Sequence, residues 1–210
     1  MQRKTLDLVF ATGGVVIALL LAVLGIVLSD QASFARSYVR DQLGEQKVTF
    51  AAADKLTEEE KNWKPGSKCL VEFAGKAMET GKQAECYANY YINLHLETGV
   101  KAAGYPGETY GTLGSVQTKL RTEVSDLKTK NDTTGAAEAQ KKLDSVTTLR
   151  ETQFKGETLR GLLLTSYGFS IFGEKADLAA KVCYALAALL VGLSAAGYVH
   201  AFVAARPKAG

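Results

Sequence analysis

Apolar positions along the chain gather into two long unbroken runs with a mixed segment between them. Leu8 to Leu28 (LVFATGGVVIALLLAVLGIVL) holds 21 residues and no charge. Val182 to Ala205 (VCYALAALLVGLSAAGYVHAFVAA) holds 24, and its only ionisable groups are Cys183, Tyr184, Tyr198 and His200. A helix rises about 1.5 Å per residue, so roughly 20 apolar residues cross a hydrocarbon core of about 30 Å. Two separate runs cannot close a barrel, which leaves helices as the way to satisfy the backbone in lipid. The pattern predicts transmembrane helices at 8–28 and 182–205. A signal peptide is the competing reading of the first run, because Arg3 and Lys4 precede it and "SFA" ending at Ala35 resembles a cleavage site. Signal h-regions usually hold about 7–15 residues, which favours a retained anchor.

Each run also carries small residues four apart: Gly14, Ala18 and Ala22 on the first, Ala188, Gly192 and Ala196 on the second. Such stripes let helix backbones approach closely where lipid offers no hydrophobic drive, so they are candidate helix-packing positions. The competing reading is that Ala and Gly are simply common in spans.

The segment between the runs, 29–181, has 153 residues, enough for one domain. Phe34 and Tyr38 keep helical spacing, so the first span is expected to continue outward. "EQKVTFAAADKLTEEEKNW" reads as an extended stretch at Lys47–Phe50, then Thr57 capping a short acidic turn. Glu58, Glu59 and Glu60 are expected to be a solvated helix start. Pro65-Gly66 marks a turn, and "CLVEFAGKAMETG" fits a short strand or a short helix equally. From Lys82 to Glu97 no Gly or Pro interrupts a helical repeat of Ala84, Tyr87, Tyr91 and Leu94. A second helix carries Leu113, Val116, Leu120, Val124 and Leu127 on one stripe. After the turn "KNDTTG", a partner helix carries Ala139, Leu143 and Val146. Facing stripes predict an antiparallel helical hairpin. The fold class is therefore mainly α: two transmembrane helices flanking a helical extracytoplasmic domain that contains a hairpin.

One shorter run needs its own account. Gly161 to Phe172, inside "LRGLLLTSYGFSIFGEKADLAAK", is apolar but too short to cross a bilayer. Glu174, Lys175 and Asp177 divide it from the second span as a charged hinge. Gly161, Gly168 and Gly173 each disfavour helix by about 1 kcal/mol relative to alanine. The run is expected to be a separate interfacial or domain-base helix. Arg160, Leu162, Leu163, Leu164, Tyr167, Phe169 and Phe172 are its candidate docking residues toward a partner or the membrane. Ordinary domain core and a re-entrant element are the alternatives.

Charge adds orientation. Arg3 and Lys4 precede the first span, Arg206 and Lys208 follow the second, and basic residues beside spans stay cytoplasmic. Both tails, 1–7 and 206–210, are expected inside a plasma membrane, with 29–181 outside. Of 25 Lys+Arg and 22 Asp+Glu, 21 of each fall in that outer segment, which is formally neutral. A neutral segment without a basic stripe argues against nucleic acid.

Candidate chemistry is sparse. Cys69 and Cys86 lie in the outer segment, where oxidising conditions permit a disulfide. A redox pair lacks its C-x-x-C, and zinc with His95 lacks a recognised ligand spacing. Cys183 reads as a small buried apolar residue. His95 and His200 fall on opposite sides of the membrane and cannot share a metal. His200 either snorkels to the interface or relays protons. The sequence has no G-x-S-x-G, H-E-x-x-H, P-loop or G-x-G-x-x-G. It therefore implies no catalytic residues, no metal and no cofactor.

The strings "VRDQLGEQKVTF" (Val39–Phe50), "YANYYINLHL" (Tyr87–Leu96) and "FKGETLRGLLL" (Phe154–Leu164) resemble a family of actinobacterial two-span membrane proteins. That family's pattern is V-x-x-Q-L-x-x-Q-x-I/V-T-F, then Y-A-x-x-Y/F-I-x-x-H-L, then F-x-G-E-T-L-R-G-L-L-L before the last span. The chain departs from it in the hairpin region and in Cys69 and Cys86. The resemblance implies topology and host, and no activity. The expected function is a non-catalytic accessory or scaffold subunit of a larger membrane assembly, for example a respiratory one. Its expected partners are other membrane proteins and the lipid bilayer. An extracytoplasmic sensor signalling through a separate partner, and a cell-envelope enzyme, are the competing classes.

Overall fold

The computed structural model describes residues 3–203. Among these the fold is mainly helical, and no strand forms beyond one isolated antiparallel bridge between Thr49 and Ala77. Two helices are long and apolar enough to cross a membrane. The first, α1 (Arg3–Glu45), continues well past the predicted span, as the Phe34 and Tyr38 spacing implied. The other, α7 (Thr133–Val203), holds 71 residues, about 107 Å of continuous helix. In the most apolar eighteen residues of each, only 17% and 11% are buried, unlike the core helix of a soluble protein.

The continuity of α7 corrects the expectation of a separate helix and a charged hinge. Leu162 and Phe172 lie within the same helix as Val182 and Ala201. No proline occurs between Thr133 and Val203, so no i→i−4 hydrogen bond is removed. Three glycines each cost about 1 kcal/mol, which does not break a helix held by packing over much of its length. Asp177 takes a hydrogen bond from Lys181 one turn on, at 2.8 Å, so the charged stretch supports helix too.

The chain divides into two compact units. One unites Met1–Tyr38 with Phe169–Gly210, the other is Val39–Gly168. In the first, α1 and α7 run antiparallel and touch through small side chains. A Cβ on Gly14 would collide with the Ser194 hydroxyl, one on Gly25 would stand 2.7 Å from the Tyr184 ring, and one on Gly173 would stand 2.7 Å from the Ala35 Cβ. Ala11, Ala18, Ala32 and Ala35 on α1, and Ala180, Ala187 and Ala201 on α7, are buried. Thr12 bonds Tyr198 at 2.8 Å across the pair.

The second unit opens with a series of short helices. Lys47, at φ 52°, turns the chain out of α1. The next stretch bonds through Phe50 N–H to Lys76 O and Met78 N–H to Val48 O. Thr57 caps α2 (Glu58–Asn62) through a reciprocal capping box with Glu60. A 3₁₀ turn at Pro65–Ser67 leads into α3 (Lys68–Glu72), so the ambiguous "CLVEF" begins as helix and its continuation reaches the Ala77 bridge. Thr80 and Gln83 form a second capping box on α4 (Gly81–Cys86). A π-helical turn, Tyr87–Ile92, then leads into α5 (Asn93–Ala102), which continues through Gly99.

Val39, Leu43, Phe50, Leu70, Met78, Ile92 and Leu163 share one core. A disulfide joins Cys69 and Cys86 within it, with Cα atoms 6.1 Å apart. A smaller core gathers Val100, Leu113, Leu120 and Val146. There α6 (Tyr110–Thr129) meets the start of α7. Gln117 Nε2 donates to Thr147 Oγ1 at 2.7 Å, and Arg150 Nε donates to the Tyr110 carbonyl at 3.1 Å.

Candidate functional surfaces

The pair of long apolar helices presents two kinds of surface. Its inner face takes Gly14 and Ala18 from the predicted stripe of the first span, with Ala22 partly buried. On the second span Ala188, Gly192 and Ala196 are exposed, and nothing lies within 4 Å of a Cβ on Gly192. The inner face of that helix is instead Cys183, Ala187, Ser194, Gly197 and Ala201. An Ala- and Gly-rich helix carries more than one small-residue track, and sequence spacing does not choose between them. Cys183 is free and buried, as its apolar setting led one to expect.

Polar pairs stand at both ends of this unit. His200 Nδ1 lies 3.0 Å from Asp7 Oδ2 near the chain termini. Asp7, the sole acid before Ser29, thus gives the His200 imidazole a polar partner. Toward the other end Arg36 sits 3.7 Å from Asp177. The Lys181 hydrogen bond holds the Asp177 carboxyl below its ordinary value. Phe34, Tyr38 and Phe169 form an aromatic cluster with ring centroids 5.7 to 6.4 Å apart. Phe172 is 69% exposed.

The remaining candidate docking residues divide. Leu163, at 5% exposure, belongs to the core with Leu164 packed beside it, whereas Leu162 is 63% exposed. Leu163 and Leu164 thus satisfy the ordinary-core alternative, since successive helical residues point about 100° apart. Tyr167 is half-buried. Arg160 Nη1 donates to Glu157 at 3.1 Å, while its Nε is buried without an acceptor among the described residues. An unmet buried donor costs about 1–3 kcal/mol.

A second constellation was not legible as chemistry. Glu60 is buried, unlike Glu58 and Glu59. Its Oε2 accepts from the Thr57 amide at 2.7 Å and the Thr57 hydroxyl at 3.0 Å, and its Oε1 lies 3.1 Å from His95 Nε2. Burial alone would raise its carboxyl, but the Thr57 bonds and His95 together hold it below the ordinary value. This corrects the solvated-start expectation for Glu60. The T-x-x-E capping signature was visible at Thr57, but the His95 partner lies 35 positions away. His95 packs edge-on to Tyr91 at 4.5 Å, Tyr91 stacks on Tyr87 at 4.6 Å, and Tyr87 meets Phe50 at 5.4 Å. Burial also pushes the Tyr87 hydroxyl up. Among the described residues no group of three or more His, Cys, Asp or Glu is placed to hold a metal.

The same unit encloses a half-open cavity of about 470 Å³, within the range of small-molecule sites. Glu59 from α2, Trp63 just after it, Asn93 and Lys101 from α5, Glu108 from the following loop, and Glu157 and Arg160 from α7 line it. Gly107, at φ 81°, shapes that loop. Close approach of α7 to α5 needs Gly156, whose Cβ would stand 2.5 Å from the Leu96 side chain. Gln153 Nε2 seals the contact by donating to the Leu96 carbonyl at 3.0 Å. The stretches "YANYYINLHL" and "FKGETLR" therefore meet at this cavity, which spacing along the chain did not reveal.

No protein-family model, curated protein or solved structure matches the chain.

Proposed function

We propose that the chain is a two-span plasma-membrane protein acting as a non-catalytic accessory or scaffold subunit of a larger membrane assembly, a respiratory complex being one candidate. In this reading residues 29–181 are extracytoplasmic, both tails are cytoplasmic, and α6 with the start of α7 forms the antiparallel hairpin of the outer domain. The polar brackets support the placement. From Asp7 to Arg36, α1 rises about 43 Å, close to the roughly 40–45 Å of a bilayer with its headgroups. Phe34, Tyr38, Phe169 and Phe172 then fall at one interface, where aromatic belts lie.

The observation that carries the accessory role is the unused small-residue track on the second span. The pair closes through Cys183, Ala187, Ser194 and Gly197, leaving Ala188, Gly192 and Ala196 on an outward face. A flat track of this kind suits close packing against another helix, which branched lipid-facing residues would prevent. Purification from native membranes in mild detergent, followed by mass spectrometry, tests the role. A stoichiometric membrane partner is expected with the wild type and lost with Gly192→Leu. Recovery of the chain alone from both preparations would contradict it.

A further inference from the structure

We infer that the cavity of the outer unit binds a small zwitterion, a free amino acid or a dipeptide. Its size admits either, at about 470 Å³. The balance of paired and unpaired groups around it sets the ligand's chemistry. Glu157 already accepts from Arg160, so the pair's charges offset one another. Glu59, Glu108 and Lys101 border the cavity without a hydrogen bond or ion pair to another described side chain, while a further lining carboxylate, Glu97, is paired with Lys64 at 3.6 Å. The Arg160 guanidinium makes one hydrogen bond, through Nη1 to Glu157, which leaves its Nη2 donors for a ligand, while its Nε is sealed from solvent. A guanidinium offers five donors in a planar fork that matches a carboxylate. Donors on Arg160 and Lys101 and acceptors on Glu59 and Glu108 therefore border one half-open cavity. A molecule carrying both an ammonium and a carboxylate satisfies both, whereas a simple anion or a simple amine leaves one side unmet. The Asn93 amide and the Trp63 indole supply neutral polar and aromatic wall. The inference stands on the outer unit alone and does not depend on the accessory role.

Calorimetric titration of the full chain in lipid nanodiscs tests it, with glycine, L-glutamate, L-lysine and alanyl-alanine as probes. At least one zwitterion is expected to bind with a Kd below about 1 mM, and its N-acetyl and amide derivatives about tenfold or more weaker, the cost of one charge-assisted hydrogen bond. Glu108→Gln is expected to weaken the same zwitterion about tenfold while leaving helicity by circular dichroism unchanged. Arg160→Lys is expected to weaken it comparably. Should that variant unfold, Glu108→Gln decides alone. No binding by any probe at 10 mM, equal binding of the N-acetyl or amide forms, or wild-type affinity in Glu108→Gln would overturn the inference.

Discussion

Replacing Cys69 and Cys86 together by alanine removes a covalent tie from the core of the unit Val39–Gly168. The two positions are 17 apart, and the entropy of closing a loop of that length in the unfolded chain is worth about 3 kcal/mol at 25 °C. Alanine avoids burying a new hydroxyl at Cys86, which lies inside the core. For a unit the size of Val39–Gly168, about 3 kcal/mol corresponds to a fall in Tm of about 10 °C. Trp63 is the sole tryptophan, lies in this unit six positions before Cys69, and has the Lys64 ammonium 3.6 Å over its ring. Its fluorescence therefore reports the unit's unfolding without interference from the spans. Melting the detergent-solubilised chain at fixed protein concentration gives the comparison. Adding a thiol reductant to the wild type separates the cross-link from packing, and should reproduce most of the shift. A wild type shown by mass spectrometry to be oxidised, but melting within about 2 °C of the double variant, would refute the reasoning.

Three further outcomes are expected. Gly14→Val should destabilise the span pair by about 1–3 kcal/mol, because its Cβ meets Ser194, whereas Gly192→Val should be neutral in the isolated chain; denaturation by added SDS in mixed micelles compares them. Glu60 has its carboxyl held below the ordinary 4.5, so its stabilisation is full above that value and is lost as pH falls through the folded value. Trp63 melts taken between about pH 6 and pH 3 should steepen in the wild type and flatten in Glu60→Gln. Leu113→Ala, at a fully buried position between α6 and α7, should cost about 2–5 kcal/mol in the same assay.

What the sequence made legible was local and periodic. Both apolar helices, the outward continuation of α1, the Thr57 cap and the Tyr87–Tyr91 stripe each rest on spacing within a few turns. The uninterrupted course of α7 was not legible, because glycines and charges weigh on helix locally while packing along 71 residues decides. The inner face of the second span was hidden for a different reason. Ala188–Gly192–Ala196 and Cys183–Ala187–Ser194 are both small, and only the partner helix selects between them. Glu60 and the cavity depend on groups far apart in the chain, His95 for the one and α2, α5 and α7 for the other. No periodicity within a single segment encodes such meetings.

The central claim is that a helical outer unit lies between two spans whose far ends share the cytoplasmic side. Cysteine-scanning accessibility tests it most directly, in a Cys183→Ala background with Lys130→Cys in the turn between α6 and α7 and a protease-cleavable tag after Gly210. A membrane-impermeant maleimide should label Lys130→Cys in intact cells, while the tag resists external protease until the cells are lysed. Labelling only after lysis, or cleavage of the tag in intact cells, would contradict the account.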